Sequence, residues 1–183
     1  MKTLIAAIFL YSGLAANASA ITIGFEEFTS DDLHYIARSQ GYSLDANGDI
    51  IFIGSGLGAG NSYGLGLPSE VLMTLSNESA APFNLLSIDA LSFASVAPLW
   101  VTGFFAGGGE ISTTIQVSGD VYAEIRTYNF SNAWQDLSAV TFQTNANMNM
   151  DNLVVTAVPI PAAAWLFGSA LAGLGWMRRK QTV

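Results

Sequence analysis

The residues best suited to chemistry form a short alternating set late in the chain. Tyr122, Glu124, Arg126 and Tyr128 share one parity, and Val121, Ala123 and Ile125 share the other. Side chains of an extended strand point to opposite faces in turn, so the first four fall on one surface. Two phenol rings beside an acid and a guanidinium can stack on the CH face of a sugar and bond its hydroxyls. The competing reading is plain strand packing, because aromatic residues favour strands in any case. Trp100 and Trp134 are further aromatic candidates, each equally suited to a core or its edge.

A second set offers hard oxygen ligands. Asp151 shares parity with Leu153 and Val155, which places its carboxylate toward the core side at the start of a final strand. A bare buried carboxylate is costly, so it needs a partner. If the chain ends pair, Glu26 or Glu27 comes near it, and Ca²⁺ suits such oxygens. The alternatives are a turn cap or an ion pair with Arg38. Asp45-Ala-Asn-Gly-Asp49 has a calcium-like look but lacks the EF-hand order, and Asn-Gly marks a turn. Gly54-Ser-Gly-Leu-Gly-Ala-Gly60 has the wrong spacing for a dinucleotide loop and reads as a surface loop; its neighbour Tyr63 could line a groove.

Other chemistry is excluded or unsupported. His34 is the sole histidine, and no Gly-x-Ser-x-Gly elbow presents a nucleophile for it. Cysteine is absent, which removes thiolate chemistry and disulfides. Fourteen acids allow many carboxylate pairs, so their number does not argue for a glycosidase. No catalytic residue is assigned, and the chain reads as a non-enzyme. All 14 acids lie between residues 21 and 157, where Arg38 and Arg126 are the only cations and the net charge is −12. Such a surface cannot displace counterions from nucleic acid. No Gly-Lys-Ser/Thr follows a glycine run, so there is no P-loop.

The elements that position these residues follow from hydropathy. Residues 1–20 combine Lys2, an apolar stretch and Ala18-Ser19-Ala20, the parts of a secretory signal peptide cleaved after Ala20. Residues 158–183 contain an uncharged run at about 160–177, flanked by Trp165 and Trp176 and followed by Arg178, Arg179 and Lys180. That pattern predicts a transmembrane helix with its basic tail in the cytoplasm. Between the two, residues 21–157 form one domain. Period-two alternation predicts strands at 111–117 and 121–125, joined by a hairpin turn at Gly119-Asp120, and others around 140–143 and 152–157. Earlier strands are expected at 21–25, 35–44, 49–53, 71–76, 84–93 and 100–105, and Glu27 to Ile36 could close one helical turn. About ten short strands with frequent turns imply an all-β, antiparallel β-sandwich or barrel.

Two resemblances sharpen this reading. Val158-Pro159-Ile160-Pro161, then Ala-Ala-Ala-Trp-Leu-Phe-Gly-Ser, a Gly/Leu-rich helix and Arg178-Arg179-Lys180 resemble the PEP-CTERM sorting signal. Ile160 stands where that family's glutamate would be. The resemblance implies export, anchoring in the inner membrane by the C-terminal helix, and cutting near the Pro-x-Pro by an exosortase. The final address would be the cell surface or matrix of an exopolysaccharide-producing Gram-negative bacterium. The central segment, through Ile23-Gly-Phe-Glu26, Phe83-Asn-Leu-Leu-Ser-Ile-Asp89, Gly107-Gly-Gly-Glu110 and Met150-Asp-Asn-Leu-Val-Val155, resembles the jelly-roll ectodomains that accompany this signal and are akin to carbohydrate-binding modules. That likeness implies a glycan partner, and a structural calcium at Asp151 and Glu26. A matrix protein without a defined ligand, and a secreted hydrolase, are the competing classes.

Overall fold

Residues 19–28, 31–57, 63–119 and 125–158 are described by the structure, a computed structural model. Their alternating apolar and polar residues make strands, because one face of each can then be buried and the other solvated. In chain order the strands among these residues are β1 (Ala20–Ile23), β2 (Asp32–His34), β3 (Ile36–Ser39), β4 (Tyr42–Asp45), β5 (Ile51–Ser55) and β6 (Tyr63–Leu67). There follow β7 (Leu72–Asn77), β8 (Phe83–Ser92), β9 (Val96–Phe105), β10 (Glu110–Ser118), β11 (Arg126–Asn129), β12 (Leu137–Thr144) and β13 (Met148–Ala157).

All pairings are antiparallel, and they divide into two sheets. The first runs β2-β5-β6-β13-β8-β11, with β1 beside the C-terminal half of β13. The second runs β3-β4-β7-β12-β9-β10. A single residue pair, Leu137 with Phe83, links them. Inward residues of both sheets form one apolar core. Ile51, Ile53, Leu65, Leu67, Met148, Met150, Leu153 and Val155 come from the first, and Leu44, Met73, Leu75, Leu99, Val101, Val140 and Phe142 from the second. Tyr42 on β4 meets Phe83 on β8 across this core, with ring centroids 5.4 Å apart and planes at 84°. That is the edge-to-face geometry aromatic quadrupoles prefer. The domain is therefore an antiparallel β-sandwich.

Several local expectations change. The stretch 35–44 is two strands, not one. Gln40 and Gly41 both take positive φ, 53° and 79°, and fold β3 onto β4 as a two-residue hairpin. Asp45 to Asp49 is a turn, as its Asn-Gly implies; Asn47 N donates to Asp45 Oδ1 at 2.8 Å. It carries the chain from one sheet to the other, since β4 pairs with β7 and β5 with β6. The expected hairpin of 111–117 with 121–125 falls largely on residues 120–124, which lie outside the described residues. β10 pairs along its whole length with β9, closed by the turn that includes Gly108 and Gly109, both at φ 91°. The helical turn expected between Glu27 and Ile36 is replaced by β2, and no helix occurs among the described residues. The signal peptide, the span at 160–177 and Pro159, Pro161, Arg178, Arg179 and Lys180 lie outside the described residues. Val158 is the last residue described, its N–H donating to the Pro82 carbonyl at 3.2 Å.

Candidate functional site

The register of the first sheet assembles a row of outward residues that are distant in sequence. Leu33 lies opposite Phe52, Phe52 opposite Gly66, Gly66 opposite Asn149, and Asn149 opposite Leu91. Directly opposed residues of an antiparallel pair share a face, so these five share the surface turned away from the core. Two glycines lower its floor. At Gly54 an added Cβ would stand 2.4 Å from Phe52 Cε1, so the missing side chain lets the Phe52 ring lie flat along its own strand. At Gly66 an added Cβ would make ordinary contacts with Leu57 and Phe52 at 3.5–3.6 Å, so without it the strip there is shallow.

The result is a groove of 280 Å³ lined by Phe52, Leu57, Gly66, Pro68, Phe93 and Asn147, with Asn149 in its wall. Phe93 is 53% exposed at the rim. The lining is apolar apart from two amides. Asn147 Oδ1 accepts from Ser69 N at 2.9 Å, which fixes that side chain. Asn149 is different: it is only 4% exposed, and its Oδ1 is buried with no hydrogen-bond partner. Native proteins rarely leave such an acceptor unmet, because its lost hydration goes unreplaced. Leu57 lies over Gly66, 3.5 Å from where its Cβ would be, and follows Gly56 at φ 76°.

Next along the same face stand two acids. Asp151 is opposite Asp89, and Asp89 is opposite Thr127. Asp89 accepts from Thr127 Oγ1, and from Asn152 Nδ2 at 2.9 Å. The pairing of Asp151 with Asp89 corrects the inward orientation read from parity. Asn152 takes φ 45° and the β13–β8 register shifts after Asp151. This bulge puts Leu153 and Val155 into the core while Asp151 shares the other face with Asn149, still buried at 1% exposure. β1 does pair with β13, Ile23 facing Leu153, so the first and last strands of the sandwich meet. Glu26 sits in the exposed turn that follows. No group of three His, Cys, Asp or Glu able to hold a metal gathers among the described residues.

The aromatic platform expected from parity is also turned round where it can be seen. Arg126 pairs with Ala90 and Tyr128 with Ile88, both core residues, so the two take the inward parity. Tyr128 is half-buried against the core, and its hydroxyl accepts from Ser118 N at 3.2 Å. Arg126 is exposed at the strand end. Tyr122 and Glu124 lie outside the described residues. Tyr63 likewise packs against the core with Leu65 and Leu67. Trp134 is buried, 4.8 Å from the Phe130 ring, whereas Trp100 is exposed on the outer face of the second sheet. His34 stacks edge-on against Phe28 at 5.1 Å.

Phe52, Gly66, Phe93 and Asn149 were not among the residues singled out from sequence. Two signals pointed to Gly66 and Asn149. Gly64-Leu-Gly-Leu67 puts every glycine on one face, and Met148-Asn-Met-Asp151 puts every polar residue on one face.

No family model matches this chain, and no curated protein matches it. Among solved structures, the N-terminal CBM22-1–GH10 modules of a Clostridium thermocellum endo-1,4-β-D-xylanase, complexed with xylohexaose, align with 76% of this chain at 10% identity and a TM-score of 0.46. This chain spans 28% of that one. A family 29 carbohydrate-binding module aligns with 76% of this chain and 88% of its own, at 14% identity and a TM-score of 0.41. A mutant of such a module, complexed with cellulohexaose, gives 14%, 76% and 91% with the same score. Likeness of this degree locates neither a site nor a function in the present chain.

Proposed function

We propose that this chain is an exported, non-catalytic protein that binds carbohydrate in the groove of its first sheet. It is sorted at its C-terminus by an exosortase-type protease to the cell surface or extracellular matrix of an exopolysaccharide-producing Gram-negative bacterium. The binding reading rests on one observation above all: the unmet Asn149 acceptor in a largely apolar groove with aromatic walls. A sugar ring presents an apolar CH face for Phe52 and Phe93 and hydroxyl donors for Asn149, which is the pairing of surfaces such sites use. The sorting reading rests on residues 1–20 and 158–180, whose charges, apolar lengths and Val158-Pro159-x-Pro161 order suit export and processing. A calcium ion shared by Asp151 and Glu26 belongs to the same proposal as a structural cofactor.

Filling the groove tests the binding reading. Gly66→Val adds methyl groups to the strip beside Leu57, where the first added carbon makes only ordinary contacts. The variant should fold as the parent does and lose glycan binding by tenfold or more in isothermal titration against oligosaccharides bound by the parent. A folded Gly66→Val variant with unchanged affinity would move the site elsewhere.

A further inference from the structure

The groove also carries information about the charge of its ligand. We propose that it selects uncharged glycan segments and excludes those bearing uronic acids or other anionic groups; this rests on the glycan reading above and specifies its substrate class. The lining contains no cation. Of the two arginines in the sandwich, Arg38 is on the second sheet and is held by Glu78 at 2.9 Å, and Arg126 takes the opposite parity from the groove residues. A sugar carboxylate in the groove would therefore find no guanidinium or ammonium to replace its water.

It would instead meet carboxylates. Asp89 lies two residues along β8 from Leu91, the residue opposite Asn149, on the same face. Asp31 lies on the far side of the Phe52 ring. Its Oδ1 accepts from Ser55 N at 2.8 Å and comes within 3.4 Å of the position a Gly54 Cβ would take. Like charges at such separations beside a low-dielectric wall weaken binding on the order of tenfold or more, and salt relieves the effect. The unmet atom is an acceptor, Asn149 Oδ1, which a hydroxyl or amide N–H of a neutral sugar satisfies.

The test is affinity electrophoresis of the full chain in mild detergent, in gels cast with neutral polymers (xylan, glucomannan, mixed-linkage β-glucan) or anionic ones (alginate, polygalacturonate), at low and high NaCl. At least one neutral polymer should retard the protein equally at both salt concentrations. The anionic polymers should bind tenfold more weakly or less at low salt. Asn149→Asp should abolish neutral binding. The double variant Asp31→Asn, Asp89→Asn should narrow the gap between the two polymer classes at least threefold. Anionic polymers bound as tightly as neutral ones would overturn the selectivity and leave glycan binding standing. Retardation by no polymer would overturn both.

Discussion

Replacing Asn149 by leucine should make the protein more stable and unable to bind its ligand. The parent leaves the Asn149 carbonyl oxygen buried and unpaired, with the residue 4% exposed. An unmet buried acceptor costs about 1–3 kcal/mol. Leucine is similar in length, removes that penalty and adds one or two buried carbons worth about 0.8 kcal/mol each. Imperfect shape takes back up to about 1.5 kcal/mol. The net gain should be about 1–3 kcal/mol, or a rise in Tm of about 4 °C per kcal/mol for a domain of this size. Asn149→Asp should do the reverse, since it buries a second charge two residues from Asp151. Differential scanning calorimetry of parent, Asn149→Leu and Asn149→Asp, each with a glycan titration, reads both effects. A leucine variant destabilised by more than 1 kcal/mol that still binds would refute the reasoning, because the amide would then be a satisfied structural group. The expected trade of stability for binding is common where a site holds an unpaired polar group ready for its ligand.

Three further outcomes follow from other parts of the chain. Burial raises the pKa of Tyr42 above its ordinary value of 10.0, an effect the nearby Asn77 side chain only partly offsets; the hydroxyl has no partner in hydrogen-bonding geometry. Its stabilising share is complete below the unfolded value and is lost as pH rises through the folded one, so Tyr42→Phe should lose less Tm than the parent between pH 9 and 11. Parallel Tm curves for the two would contradict this. With a hundredfold excess over its dissociation constant, Ca²⁺ at Asp151 should add about 2.7 kcal/mol of stability, beyond NaCl at equal ionic strength, and Asp151→Asn should remove the excess. Equal shifts from the two salts would eliminate the metal. Intact-mass measurement on protein from its native host should find Ile21 at the N-terminus and a C-terminus near Pro159; a chain that starts at Met1 or keeps Arg178 would refute the processing.

Much of the scaffold was legible because it depends on local alternation. The runs at 71–76, 84–93 and 100–105 contain strands in the structure, since apolar residues every second position leave a half-buried sheet few alternatives. Strand partners were not legible. No expectation joined β9 to β10, although the glycines between them close a local hairpin; the pairing of β13 with β8 and β6 is decided by which faces the whole sandwich must bury. The site failed for the same reason at finer scale. Parity is a reliable guide only while the register holds. One residue in a left-handed conformation, Asn152, reverses it for Asp151, and the expected inward carboxylate appears on the groove side. The groove itself draws one residue or two from each of β5, β6 and β13 and from the loops beside them, so no local window contains it.

The central claim is that the row Phe52–Gly66–Asn149 receives a neutral glycan. Titration of ¹⁵N-labelled protein with the neutral oligosaccharide that binds best, followed by amide and side-chain NH₂ shifts, tests it most directly. The largest shifts should fall on Gly66, Phe93, Asn147 and the Asn149 side chain, with β10 and β11 unmoved. Saturable shifts centred on Arg126 and Tyr128, or on Trp100 of the second sheet, would contradict it.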